Sequence, residues 1–344
     1  MAAAELGGRE GAILRAIVES YVSTAKPVSS GVVVCGGVVS LSSATVRNVM
    51  RTLEEGGLIS QPHTSAGRVP TDIGYRYYVD HLMTPQSPAA RERARIALRV
   101  GALAGRDLGT VASEVSRMMS ELSRELAVTV APASGGVIDR VELVALDGGG
   151  VLAVATAAGG VTRSRVVAAG RRVSAADVST ALEMLRAWLG GRPLGEAGRI
   201  LSARREEPGA RLSATVAALL ADVEALFAPD DEVRVRYEGA KYMFRHPEFH
   251  DHVSAVGEVI DSEGALAEVV GTTEEPGKVT VRIGRENRRR GLEMMSLVVG
   301  AYRVGAGVGR VGVIGPTRMR YPRLVGLVRH FSEALDRMLA ERGA

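Results

Sequence analysis

A single cysteine, Cys35, stands in a chain of 344 residues, so no internal disulfide and no multi-cysteine zinc site can form. Such sparse cysteine fits a reducing cytoplasm. Aromatic residues are also scarce, at 4%, and the cores must be built from Val, Leu, Ala and Ile. Nothing approaches the roughly 18 uninterrupted apolar residues of a membrane helix. The longest candidate, Val137 to Val161, is broken by Asp139, Arg140, Glu142 and Asp147. Met1 to Gly11 carries Glu5 and Glu10 and has no apolar signal core. A large excess of charge is missing too. Lys and Arg number 43 against 39 Asp and Glu, and residues 1–84 hold seven of each sign. Bulk basicity therefore does not mark the chain for nucleic acid, and any such role must rest on where the cations are placed.

What remains is an ordinary globular balance, 46% hydrophobic and 24% charged, long enough for two or three domains. Ile13, Leu14, Ile17, Val18 and Tyr21 give a helical face over Ile13 to Val22, ended by Lys26-Pro27. Ser42 to Glu55 reads as a second helix, capped by Ser42 or Ser43 and stopped by Gly56-Gly57. Leu58-Ile59 and Val69-Pro70 flank a polar loop, which predicts a short hairpin. Thr71 caps another helix through Leu82, and the Pro/Ser run Thr84 to Pro88 is the clearest boundary. Beyond it, helices are expected over Ala89 to Leu103, Leu108 to Leu126, Ser174 to Leu189, Leu212 to Phe227, Phe249 to Ile260 and Tyr321 to Leu339. Strands are expected within Val137 to Val167 and Glu232 to Phe244, and over Lys278 to Ile283, Met294 to Tyr302 and Gly309 to Ile314.

The helix from Ser42 has two distinct faces. Val46, Val49, Met50 and Leu53 form an apolar stripe, and Ala44, Arg47, Asn48 and Arg51 lie opposite, with Thr45 to one side. Arg reads guanine and Asn reads adenine with paired hydrogen bonds, while Thr or Ala touches a thymine methyl. A Ser-capped helix N-terminus also suits a phosphate oxygen. The following loop, Gln61 to Arg68, offers small hydroxyls, a glycine and one cation. Ser43, Ala44, Thr45, Arg47, Asn48 and Arg51 are therefore candidate DNA contacts on the helix. His63, Thr64, Ser65, Gly67 and Arg68 are the candidates on the wing. In order, these pieces make a winged helix-turn-helix; alternatively, they make a small helical unit with a solvated polar face.

Leu41 to Met50 (LSSATVRNVM), Leu53-Glu-Glu, Pro62 to Pro70 (PHTSAGRVP) and Gly74 to Asp80 (GYRYYVD) resemble the heat-inducible transcription repressor HrcA family. So do Pro247 to Phe249 (PEF), Ile283 to Asn287 (IGREN), and Ile314 to Met319 (IGPTRM) with Tyr321. The resemblance implies a multidomain α+β chain. A winged helix-turn-helix would span 1–84. A GAF-like α/β domain would come in two parts, 85–168 and 255–344, around an inserted dimerising α+β domain at 169–254. The helices Ser174 to Leu189 and Leu212 to Phe227 are candidates for that insertion. It further implies a homodimer that represses chaperone operons from an inverted-repeat DNA operator, CIRCE. A GroEL-type chaperonin would keep it active, and heat would relieve repression. One segment departs from the family: Gly31 to Val39, with its glycines and β-branched residues, makes a poor first helix of the helix-turn-helix.

Other signals weigh less. Gly307 to Gly312 matches G-x-G-x-x-G but leads into a strand, which suits a sheet turn better than a dinucleotide site. Gly271 to Lys278 has the wrong spacing for a phosphate loop. His246, His250 and His252 with Glu248 and Asp251 read either as a metal cluster or as a polar helix start. Arg288 to Arg290 reads as a solvated loop or as a protein contact. Cys35 is expected to be a small buried side chain. No nucleophile elbow or paired-acid pattern appears, so neither an enzyme nor a cofactor is expected. The competing reading is a metabolite-sensing winged-helix regulator with a ligand-binding GAF-like domain.

Overall fold

A computed structural model describes residues 6–37, 41–63, 67–131, 137–147, 150–157, 161–167, 173–207, 212–227, 234–260, 262–271, 275–287, 292–304 and 307–340. Thr64 and Ser65 of the loop, Val38 and Val39, and Arg288 to Arg290 lie outside them.

The N-terminal unit, here called the head, is built from α1 (Gly8–Thr24), α2 (Ser30–Cys35), α3 (Ser43–Glu55), β1 (Ile59–Ser60), β2 (Val69–Pro70) and α4 (Asp72–Tyr77). The last runs on as one wide turn over Tyr78–Leu82. Ile13, Leu14, Ile17 and Val18 of α1 close over Val46, Met50 and Leu53 of α3. The short α2 forms despite its glycine and valines. Ser29 accepts the amide of Val32, and Val33 is buried against the neighbouring helices. Packing thus overrides poor propensity. Cys35 is exposed, contrary to the burial expected: Val33 takes the inward position of α2, and Cys35, two residues on, points away.

The remainder, the body, is organised by a five-stranded antiparallel sheet. After α5 (Ala90–Gly101) and α6 (Leu108–Ser123) comes β3 (Leu126–Ala131). The expected helix to Leu126 stops early, at Arg124, which takes a left-handed conformation. The chain then leaves this sheet for a meander, β4 (Ile138–Ala145), β5 (Val151–Ala157) and β6 (Val161–Val167). Helices α7 (Ala175–Leu189), α8 (Ala197–Arg205) and α9 (Ala214–Glu224) follow. It returns as β7 (Arg234–Glu238), α10 (Ala240–Met243), α11 (Val253–Ile260), α12 (Glu263–Val270), β8 (Val279–Ile283), β9 (Met295–Val304), β10 (Gly307–Pro316) and α13 (Tyr321–Ala340). The strand expected to reach Phe244 ends at Glu238, and α8 and α12 were not anticipated.

Sheet order is β7-β3-β10-β9-β8. Helices α6 and α13 cover one face, with α5 against α13, and α10 to α12 cover the other. Every residue of β3 is buried, as expected for a strand covered on both faces. The meander packs on α7 and α9, burying Val141, Ala153, Leu185, Leu189 and Leu219. The chain leaves this sheet after Ala131 of β3 and rejoins it at Arg234 of β7, which pairs antiparallel with β3. Among the described residues, no helix is long and apolar enough to cross a membrane.

Candidate nucleic-acid interface

Helix α3 starts at a defined cap: the Ser42 hydroxyl accepts the Thr45 amide at 3.1 Å. It ends at Gly56 and Gly57, where the Leu58 amide returns to the Leu53 carbonyl. Val46, Met50 and Leu53 are buried and Val49 is half-buried, so the stripe read from the periodicity points inward. Ala44, Arg47, Asn48 and Arg51 are exposed on the other side. Among the described residues neither Arg47 nor Arg51 has a carboxylate partner. Arg47 Nε donates only to the Ser30 hydroxyl of α2, at 3.3 Å. Ser43 is half-buried and shares a 2.9 Å hydrogen bond with Ser30, which ties α3 to α2. Thr45 is half-buried beside the cap, its hydroxyl 2.9 Å from that of Ser42. The donors pointing outward are therefore Arg47, Asn48 and Arg51.

Strands β1 and β2 pair through Ile59 with Pro70 and Ser60 with Val69. A third segment joins them: Val28 and Arg68 exchange both backbone hydrogen bonds at 2.8 Å. Gly67 permits this approach, because a Cβ there would sit 2.5 Å from the carbonyl group of Val28. His63 is exposed at the start of the loop. Arg68 is not a free cation: its Nε and Nη2 grip Glu54 of α3 at 3.0 and 2.9 Å. This pair fastens the hairpin to the C-terminal end of α3 and neutralises a carboxylate beside the arginine face.

Two of the other polar candidates, His246 and Glu248, make internal contacts. His246 Nε2 lies 3.1 Å from the buried carboxylate of Glu125. Burial pushes the Glu125 carboxyl above its ordinary range, and His246 partly offsets this. Glu248 pairs with Arg318 at 2.6 Å. Among the described residues no group of three His, Cys, Asp or Glu side chains is placed to hold a metal. Gly307 to Gly312 belongs to β10, a strand in the middle of the sheet.

A capped helix with outward arginines, backed by a fastened hairpin, suits the class of transcription regulators, and the comparisons agree. A profile of the HrcA protein C-terminal domain matches residues 109–325. The heat-inducible transcription repressor HrcA of Symbiobacterium thermophilum is 34% identical, over 96% of this chain and 98% of that protein. Its counterpart in Acidothermus cellulolyticus is 36% identical over 96% and 97%. That of Geobacter sulfurreducens is 34% identical over 97% and 98%. This chain belongs to the HrcA family of heat-inducible transcription repressors, a family of regulators and not of enzymes. A crystal structure of a hypothetical protein at 2.2 Å shares the fold, with a TM-score of 0.62 and 24% identity over 98% of this chain and 100% of that one.

Sequence reasoning missed the partners rather than the face. Ser30 lies 17 positions from Arg47, and Glu54 lies 14 from Arg68. Helical periodicity gives the direction of a side chain but not what stands across from it.

Proposed function

We propose that two copies of this chain bind an inverted-repeat operator of the CIRCE type and silence heat-shock chaperone genes until heat relieves them. In this reading the head is a winged helix-turn-helix. Each α3 lies in a major groove, with Arg47, Asn48 and Arg51 at base edges and Ala44 and Thr45 beside them. Ser43 and the helix N-terminus face a phosphate. The hairpin, with His63, Thr64, Ser65, Gly67 and Arg68, runs along the backbone. The observation that carries the reading is the exposed face of α3, where two arginines have no carboxylate partner among the described residues of a head with no net charge.

The body is a GAF-like α/β domain in two parts, and the excursion between Ala131 and Arg234 is its dimerising insertion. Its meander supports self-association. Val144, Leu152 and Val166 align across β4, β5 and β6 on the face away from the helices. Val144 and Val166 are 48% and 59% exposed, and Leu146 beside them is 38% exposed. A two-fold pair of such faces would present two heads to two half-sites. A GroEL-type chaperonin in the same cytoplasm keeps the repressor competent.

Titration of the full chain onto an inverted-repeat duplex tests this. Two chains should bind per operator, with affinity falling steeply with salt as counterions are released. Equal affinity for the repeat and for a single half-site would contradict it. Val166→Asp should yield monomers that retain half-site binding. Chaperonin should raise the active fraction; no effect removes the feedback step and leaves the repressor.

A further inference from the structure

The segments of the body that resemble the family meet the head at two places. One is the loop Ile283 to Asn287. Arg76 of α4 reaches it with Nε and Nη2 on the two carboxylate oxygens of Glu286, at 2.8 and 2.5 Å. Nη2 also meets the Val281 carbonyl at 2.7 Å, and Nη1 meets Asp80 at 3.0 Å. In return the Asp72 carboxylate accepts the Arg285 amide at 3.0 Å. Glu286 also accepts the Ile283 amide at 2.9 Å. Gly284, at φ +53°, sits under Asp72, where a Cβ would lie 2.3 to 2.5 Å from the carboxylate. Asn287 braces the loop, its buried Nδ2 within 3.2 Å of the carbonyls of Gly284, Leu292 and Met295. The second place is Arg318. Its Nε holds Glu248 and its Nη1 reaches the Val22 carbonyl near the end of α1, at 3.2 Å. Between the two, Tyr75 of the head packs on Tyr321 of the body with ring centroids 5.9 Å apart, both buried.

From this geometry we infer that Arg76, Glu286 and Arg318 are positioning residues for DNA recognition: they fix the angle of α3 relative to the body and so set the half-site spacing the dimer accepts. Two attachments on different helices, α1 and α4, remove the rotation that one contact would leave. A rigid mount gives the second head a high effective concentration at one spacing and a low one at others, whereas a loose mount levels them. A bidentate arginine–carboxylate pair suits this role because its planar fork specifies direction as well as distance.

The inference rests on the two-half-site reading proposed above, and two measurements on the full chain separate them. In the first, Arg76→Gln, Glu286→Gln and the double variant are tested on inverted repeats whose spacer is changed by one base pair. The penalty for the shifted spacer is expected to fall from about tenfold to about twofold, with half-site affinity unchanged. The double variant should be no worse than the worse single, since both act through one contact. Arg76→Lys, which keeps the charge but loses the fork, should lie between. Unchanged spacing preference, or equal loss on half-site and full operator, overturns the inference. The second measurement needs no DNA: amide hydrogen exchange at Ile283 and Arg285. Faster exchange in Arg76→Gln supports the mount even if the operator reading fails, and exchange equal to wild type overturns it.

Discussion

The outer face of α3 and the inner face of α4 treat arginine in opposite ways. On α3, Arg47 and Arg51 stand exposed, with no carboxylate partner among the described residues. On α4, all three guanidinium nitrogens of Arg76 are occupied by Glu286, Asp80 and the Val281 carbonyl. That environment raises its pKa, through the Glu286 hydrogen bond above all. A donor left unsatisfied next to water can be given to a base or a phosphate at little cost. One already saturated would have to break what it has. The small head thus has one side whose arginines face solvent and one whose arginine is engaged by the body, and Arg68, held by Glu54, lies between the two kinds.

Substitutions on either side test this contrast. The largest effect is expected from Gly67→Ala. Its Cβ would collide with the Val28 backbone, so the hairpin must leave Val28 at a cost of about 2–3 kcal/mol. Urea unfolding should show it, and operator affinity should fall with it. Arg76→Ala should cost about 1–2 kcal/mol of stability, since the pair is only half-buried and water takes part of the loss. Thermal unfolding checks this, and a change in half-site affinity without a change in stability would place Arg76 with the arginines of α3. Arg68→Ala should cost less than about 1 kcal/mol in either measurement, because it loses a partly exposed pair.

The smallest effect concerns Glu125, deep in the body. Burial raises its native pKa above the ordinary 4.5. The contribution of this group is therefore fully favourable below about that pH. It is lost as pH rises through the native value, because the folded chain must then ionise the carboxylate in its core. Glu125→Gln should remove this decline, so its stability relative to wild type should grow with pH when urea midpoints are followed from acid to neutral. Parallel pH profiles would contradict the assignment.

Much of the head could be read from the sequence because its signals are local. Ser42 and Thr71 cap where hydroxyls precede apolar periodicity, Gly56-Gly57 stops α3, and one stripe separates inside from outside. The body was harder. Strand β3 is buried on both faces, so Leu126 to Ala131 lacks the alternation that would mark it as a strand. The return of the chain to the sheet depends on β7 pairing with β3, a contact that no window of sequence contains. Cys35 followed its helix rather than its composition. At the candidate interface the face of α3 was legible, but the partners of Arg47 and Arg68 were not. Arg76 and Glu286 are separated by 210 positions, and only the fold brings them together.

In the proposed function, Arg47 and Arg51 on the exposed face of α3 read the operator. The most direct test is the affinity of full-length Arg47→Ala and Arg51→Ala for the inverted repeat, alongside their thermal unfolding. Each substitution should weaken specific binding by about 1–3 kcal/mol while leaving the unfolding temperature unchanged. Wild-type affinity in both variants would show that α3 does not face the DNA in this way.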